Sequence, residues 1–191
     1  MRIRALAAFS VLIALPLAAC GGSSGTASPP TSLPKFGPTT TAHVAEPVST
    51  KPSKSAQMIC SAEAKKEIYE QATGVQVTSI STPTWKDHVY SCDFVYPGGA
   101  KFTMAVKELA DAPQTTVYFD SLATKLHKTR SLVIGQGAFG VADGSVVVRK
   151  DFKVLLVDVT KLPATFGLPS APRADVALNV AATIMSCWTG A

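Results

Sequence analysis

HVYSCDFVY (His88–Tyr96), PGG (Pro97–Gly99) and KFTMAVKE (Lys101–Glu108) together decide the fold of this chain. In the first run Tyr90, Cys92, Phe94 and Tyr96 alternate with polar or smaller residues. In the last run Phe102, Met104 and Val106 alternate with Lys101, Thr103 and Lys107. A period of two is the signature of a half-buried strand, and the Pro-Gly-Gly between the runs is a turn. The stretch therefore reads as an antiparallel hairpin with one apolar face.

Helical patterns flank that hairpin. Ser61 to Ala72 carries Ala64, Ile68 and Ala72 on one face, with Glu63 in its first turn and Gly74 just past its end. Val75 to Ile80 reads as a short strand. Thr115 to Lys128 is a second helix, with Pro113 near its start and Tyr118, Leu122 and Leu126 along one stripe. Ser145–Arg149 and Phe152–Val159 form a second hairpin through Lys150-Asp151. Val154 to Val157 is apolar on both faces, which marks a central strand. Pro172 opens a last helix to Trp188, with Val176, Val180 and Ile184 four apart. The predicted order is α-β-β-β-α-β-β-α: an α+β domain, an antiparallel sheet with helices packed on one face.

The N-terminus is a different kind of sequence. Arg2 and Arg4 precede an uncharged run from Ala5 to Leu17, and small residues lead to Cys20. That is the layout of an export signal and its cleavage site. The run is shorter than the about 20 residues a spanning helix needs. Leu17-Ala18-Ala19-Cys20 resembles the lipobox of bacterial lipoproteins. The resemblance implies that Cys20 is lipidated and becomes the first mature residue, held at the extracytoplasmic face of the cell membrane. One acyl chain anchors only marginally, so such an anchor carries more than one.

Gly21 to about Ser55 is rich in Gly, Ser, Thr and Pro, with few large apolar side chains. Such a segment cannot bury enough surface to offset its ordering entropy. The expected organisation is a signal peptide over 1–19, the lipidated cysteine and a disordered tether over 20–56, and one globular domain over 57–191. Fully extended, the tether would reach roughly 120 Å. Thr39, Thr40 and Thr41 have the composition of an O-glycosylated stalk.

Removing residues 1–19 takes away Arg2 and Arg4 and no acid, so the overall +5 becomes +3. A charge this small gives no case for nucleic acid. Lys65, Lys66, Lys125, Lys128 and Arg130 read as solvated positions on or beside helices.

Cys60, Cys92 and Cys187 remain for the domain, in a compartment that permits disulfides. Cys60 precedes the first helix and Cys92 lies on the inward face of a strand. A Cys60–Cys92 bond would staple helix to sheet. Cys60–Cys187 is its rival, with Cys187 otherwise a small buried hydrophobe on the last helix.

Gly135-Gln136-Gly137-Ala138-Phe139-Gly140 matches G-x-G-x-x-G, but a dinucleotide site needs a helix after it. Here Ser145–Val148 follows, a strand, so the glycines read as a loop with unusual backbone angles. His43, His88 and His127 show no metal-ligand spacing, no C-x-x-C occurs, and the expected globular domain over 57–191 contains no G-x-S-x-G. No catalytic or metal site and no cofactor is expected. Candidate contact residues lie on loops instead: Trp85 within Ser81–Asp87, and Gly135, Gly137 and Phe139 within Gly135–Gly144. The plainer reading of Trp85 is an ordinary packed loop tryptophan, ahead of a contact residue.

The lipobox Cys20, the Pro/Ser/Thr tether, Cys60 opening a helix, Cys92-Asp93-Phe94 and the Val133–Phe139 loop resemble actinobacterial, mycobacterial-type, envelope lipoproteins of unknown function. Cys187 has no counterpart in that pattern. The resemblance implies no activity and no catalytic residues. The expected function is a non-enzymatic binding or accessory module whose partner is an envelope protein, glycan or lipid. A carrier of an apolar ligand and a hydrolase with a dispersed site are the alternatives. Changing Cys20→Ala should leave the precursor unprocessed and unlabelled by a fatty-acid analogue. Label persisting on that variant would refute the anchor.

Overall fold

In a computed structural model, residues 49–188 are described; Cys20, the signal and most of the tether lie outside them. Helices α1 (Lys54–Met58) and α2 (Ala62–Ile68) come first, and α2 runs into a π-helical turn over Tyr69–Thr73. Strands β1 (Ser79–Ile80), β2 (Thr84–Lys86), β3 (Val89–Val95) and β4 (Lys101–Glu108) follow. Helix α3 (Ala112–Lys125) leads to β5 (Lys128–Leu132), β6 (Gly137–Val141), β7 (Val146–Lys150) and β8 (Lys153–Asp158). A small hairpin of β9 (Thr165–Phe166) and β10 (Ala171–Pro172) precedes α4 (Arg173–Cys187). No helix among the described residues is long and apolar enough to cross a membrane.

The fold is α+β. Its sheet runs β1-β3-β4-β8-β7-β6-β5, with β2 also on β3, and the pairs are antiparallel. The β3–β4 hairpin carries the alternation read from sequence. Cys92, Phe94, Phe102, Met104 and Val106 are buried on one face. Phe94 pairs with Phe102 across the strands, and their rings stack 4.9 Å apart.

The helices do not share one face of the sheet, and this corrects the expected layering. Val146, Val148, Leu155 and Val157 pack in one core with Val176, Val180 and Ile184 of α4 and with Ala64 and Ile68 of α2. Val147 and Val154, which point the other way, pack in a second core with Tyr118, Phe119 and Leu122 of α3. The physical reason is the apolar continuity of β7 and β8. A strand apolar on both faces must be covered on both.

Residues 128–141 also depart from expectation. Lys128 and Arg130 belong to β5, not to a helix end, and the glycine-rich stretch becomes β6, paired on both edges. Glycine lowers strand propensity, so the stretch looked like a loop. Gly135 sits at φ 59°, and a Cβ there would lie 2.7 Å from the Arg149 carbonyl oxygen.

The domain begins earlier than residue 57. Ser53 caps α1, its side chain accepting from the Ala56 N–H at 3.2 Å. Ser53 also donates its hydroxyl and its main-chain N–H to the buried Glu108 carboxylate. Ala56 and Ile59 are fully buried. A five-residue helix offers too little periodicity to be seen in a Pro/Ser-rich segment.

Cys60 and Cys92 form the disulfide, with Cα atoms 6.1 Å apart. Cys187 is free and exposed, not a buried hydrophobe. Trp188, one residue on, takes the core position in its place. The bond joins the start of α2 to β3 across a loop worth about 3–4 kcal/mol in the chain-entropy picture. Replacing both Cys60 and Cys92 with Ala should lower unfolding stability by about that much in a denaturant titration. Cys187→Ser should leave the midpoint unchanged.

Tyr96 closes the β3 end of the core, in edge contact with Phe166 at 4.7 Å. Burial pushes its phenol up to about 12 from 10.0, and the nearby Thr73 pulls weakly the other way without a hydrogen bond of normal geometry. A raised folded-state pKa means that the neutral phenol favours folding. That contribution is whole below pH 10 and is lost as pH rises from about 10 to 12. By pH 11 the loss is on the order of 1 kcal/mol. Urea titrations at pH 8 and 11 should find Tyr96→Phe losing about that much less than the wild type. Equal losses would show that Tyr96 does not set the alkaline limb.

Candidate functional site

The turn between β7 and β8 is the starting point. Lys150 pairs with Lys153, so Asp151 and Phe152 form a two-residue turn. The sequence reading had placed the turn one residue earlier. Both residues have positive φ, 49° and 53°. Such turns favour Asn-Gly, and a bulky residue there is unusual. Neighbouring segments hold the turn in place. Leu109 N–H donates to the Phe152 carbonyl at 2.9 Å, and Asp151 N–H donates to Gln136 Oε1 at 3.1 Å.

Helix α3 starts beside this turn. Asp111 caps it by accepting from the Gln114 N–H at 2.7 Å, and proline stands in its first turn. Its Tyr118, Phe119 and Leu122 must cover the second core. That requirement fixes the height of the helix N-terminus above the sheet end. A cleft of about 440 Å³ is left between the two. Ala112, Thr115 and Thr116 line it from the helix, Gln136 from the turn before β6, and Arg149, Asp151, Phe152 and Lys153 from the hairpin. The volume is in the range of small-ligand sites.

Arg149 is the best-defined side chain there. Its Nη1 donates to Thr116 Oγ1 at 2.7 Å and its Nη2 to the Gln136 carbonyl at 3.2 Å. The guanidinium also lies 5.4 Å from the centre of the Phe119 ring. Phe119 in turn packs edge-on against Phe139 at 5.0 Å. One Asp151 carboxylate oxygen, Oδ2, is buried with no hydrogen-bond partner.

The residues singled out from sequence fall in different places. Phe139 is fully buried beneath Phe119, so it cannot contact a partner. Gly135 and Gly137 border the cleft as scaffolding. A Cβ on Gly137 would sit 3.8 Å from both Arg149 Nη2 and the Phe119 ring. Trp85 lies on β2, half-buried, and does not line the cleft. Its Nε1 donates to the Thr50 carbonyl at 2.9 Å, which clasps the chain as it enters the domain. Cys20 lies outside the described residues.

Sequence reasoning missed Gln136, Arg149, Lys153 and Thr116. The available signal was Arg149 itself, a charge that ends the Val146–Val148 run and shares the face of Val147. An apolar carrier needs a pocket lined by Phe, Val and Leu, whereas Ala112 and Phe152 are the apolar residues lining this cleft. A hydrolase needs perturbed groups in one place. The Asp93 carboxyl is held below its usual range by hydrogen bonds from Lys101 and Thr103, and it lies on β3, away from the cleft. Tyr96 points to the opposite face of the sheet.

No family model, no curated protein and no solved structure matches the chain.

Proposed function

We propose that the chain is an exported lipoprotein, anchored through Cys20, whose domain works as a non-enzymatic binding module of the cell envelope. The cleft between α3 and the β7–β8 turn is its ligand site. The observation that carries this reading is positional. Glu108, which holds Ser53 where the chain enters the domain, stands opposite Lys153, one of the residues lining the cleft, in the β4–β8 register. The site therefore opens at the sheet end that receives the chain from its anchor. Thr, Gln, Arg, Asp and Lys residues line it beside Ala112 and Phe152, and Arg149 is held by neutral groups, an arrangement suited to recognition. The resemblance to actinobacterial envelope lipoproteins supports the same address.

A photoreactive amino acid at Ala112, which lines the cleft and is exposed, tests the reading in living cells. It should trap one defined envelope component. The same group at Lys66, exposed on α2, should trap none. Equal labelling from both positions would remove the cleft from its role. Turnover of an envelope substrate that depends on a cleft residue would overturn the non-enzymatic reading.

A further inference from the structure

We propose that the group this cleft recognises is a neutral sugar unit of an envelope glycan, its hydroxyls taken by Asp151, Gln136 and Arg149. The inference rests on the cleft being the module's binding site and names what binds there. The balance of charge comes first. Arg149 shares the face of Val147 and lies against Phe119 of α3. Lys153 borders the cleft, but Leu155 and Val157, two and four residues on, pack in the core of α2 and α4, so alternation carries its side chain to that face. One cation and one carboxylate are left for the cleft, Arg149 and Asp151. The ion pairs among the described residues are Lys66–Glu70 and Lys101–Asp93, so these two are not paired with each other. An anion entering the cleft meets Asp151 and a cation meets Arg149, whereas a neutral polar group is opposed by neither.

The unused hydrogen-bonding groups are of both kinds. Asp151 Oδ2 is buried with no partner, a costly state for a carboxylate oxygen. The carboxylate turns easily about its last torsion, so an oxygen can be brought to a group in the cleft. Gln136 Oε1 accepts from the Asp151 N–H at 3.1 Å, which sets the orientation of the amide and leaves its Nε2 as a donor beside Asp151. Arg149 keeps further N–H groups after donating to Thr116 Oγ1 and the Gln136 carbonyl, and those bonds hold it in place before any ligand arrives. An acceptor and two kinds of donor thus stand in one cleft. A hydroxyl donates and accepts at a single oxygen, and a sugar carries several on neighbouring carbons. A peptide would need a free strand edge or apolar pockets. Strands β6, β7 and β8 are each paired on both sides, and Ala112 and Phe152 are the apolar residues of the lining. The same shortage of apolar surface favours a unit of a glycan chain over the headgroup of a glycolipid.

The test is a proton–nitrogen NMR titration of the purified full chain, in a detergent without a sugar headgroup. The probes are the methyl pyranosides of glucose, galactose, mannose and N-acetylglucosamine, with tetrahydropyran as the ring that lacks hydroxyls. At least one glycoside should give saturable shifts at the Asp151 main-chain amide and the Gln136 side-chain amide, with a Kd of roughly 1 mM that is unchanged up to about 0.5 M sodium chloride. Tetrahydropyran should give none. Asp151→Asn puts a residue that tolerates positive φ at a position with φ 49°, so the turn is kept. Loss of the charged acceptor should weaken glycoside binding about tenfold. Arg149→Lys loses the fork of donors and should weaken it by about as much. The octyl glycoside of the same sugar, below its micellar concentration, should bind no tighter than the methyl glycoside. A tighter octyl glycoside would move the site to a glycolipid and overturn the glycan assignment. The proposal is also overturned if no glycoside gives saturable shifts, if sodium phosphate or ethylammonium chloride binds at these amides more tightly than every glycoside, or if Asp151→Asn binds as well as wild type. If the glycosides fail while the Ala112 crosslink succeeds, the binding module stands and its ligand has another chemistry.

Discussion

Val146, Val147 and Val148 are consecutive in β7, and all three are buried. Successive side chains on a strand point to opposite faces, so such a run leaves no face of β7 free for water. Val154 and Leu155 impose the same demand on β8. Each fully buried valine or leucine is worth about 1.5–3 kcal/mol relative to exposure, so neither face can be left open cheaply. The remainder of the fold answers this constraint. Helices α2 and α4 close one face, and α3 crosses to close the other.

The cleft is a by-product of that arrangement. Helix α3 is the part of its layer that covers β6, β7 and β8, and it covers them only where the valines and Phe139 require it. At its N-terminus the helix meets the end of the sheet, where β7 becomes polar at Arg149 and Lys150. The boundary between apolar and polar residues along β7 is therefore also the floor of the cleft. Arg149 stands on the same side as Val147 and stacks on Phe119 at the limit of the second core. Its aliphatic stem extends the core while its head turns to solvent, as long basic side chains do.

Legibility in the sequence followed how local each signal was. The β3–β4 hairpin was read to within a residue because Phe94, Phe102 and Met104 alternate without interruption. The disulfide could be anticipated because Cys60 and Cys92 sit at a helix start and on an inward strand face. The two-faced cover was foreshadowed by Val154–Val157, yet the placement of α3 depends on which strands neighbour β7 and β8, and that is a long-range property. Strand β6 was hidden by its own glycines, Gly137 and Gly140; a Cβ on Gly140 would sit 3.1 Å from Arg130 Nε. Exposed β5, with Lys128 and Arg130, has no apolar face to betray it. The cleft was hardest to see. Thr116, Gln136, Arg149 and Lys153 come from three segments, and no spacing in the chain relates them.

The clasp at the chain's entry ties these features to the proposed address. Glu108 stands at the last position of β4, buried, where a carboxylate would be costly without partners. Ser53 supplies two donors to it, and Trp85 holds the Thr50 carbonyl a few residues earlier. These contacts fix the direction from which a tether approaches the domain. Because Glu108 and Lys153 are cross-strand neighbours, that direction and the mouth of the cleft belong to one end of the sheet. A domain free to rotate on a long tether gains little from having its site at any particular pole. A domain whose tether is clasped beside its site carries the two as one fixed unit. Under the proposed anchoring, a ligand held there would sit at the end of the domain that receives the tether.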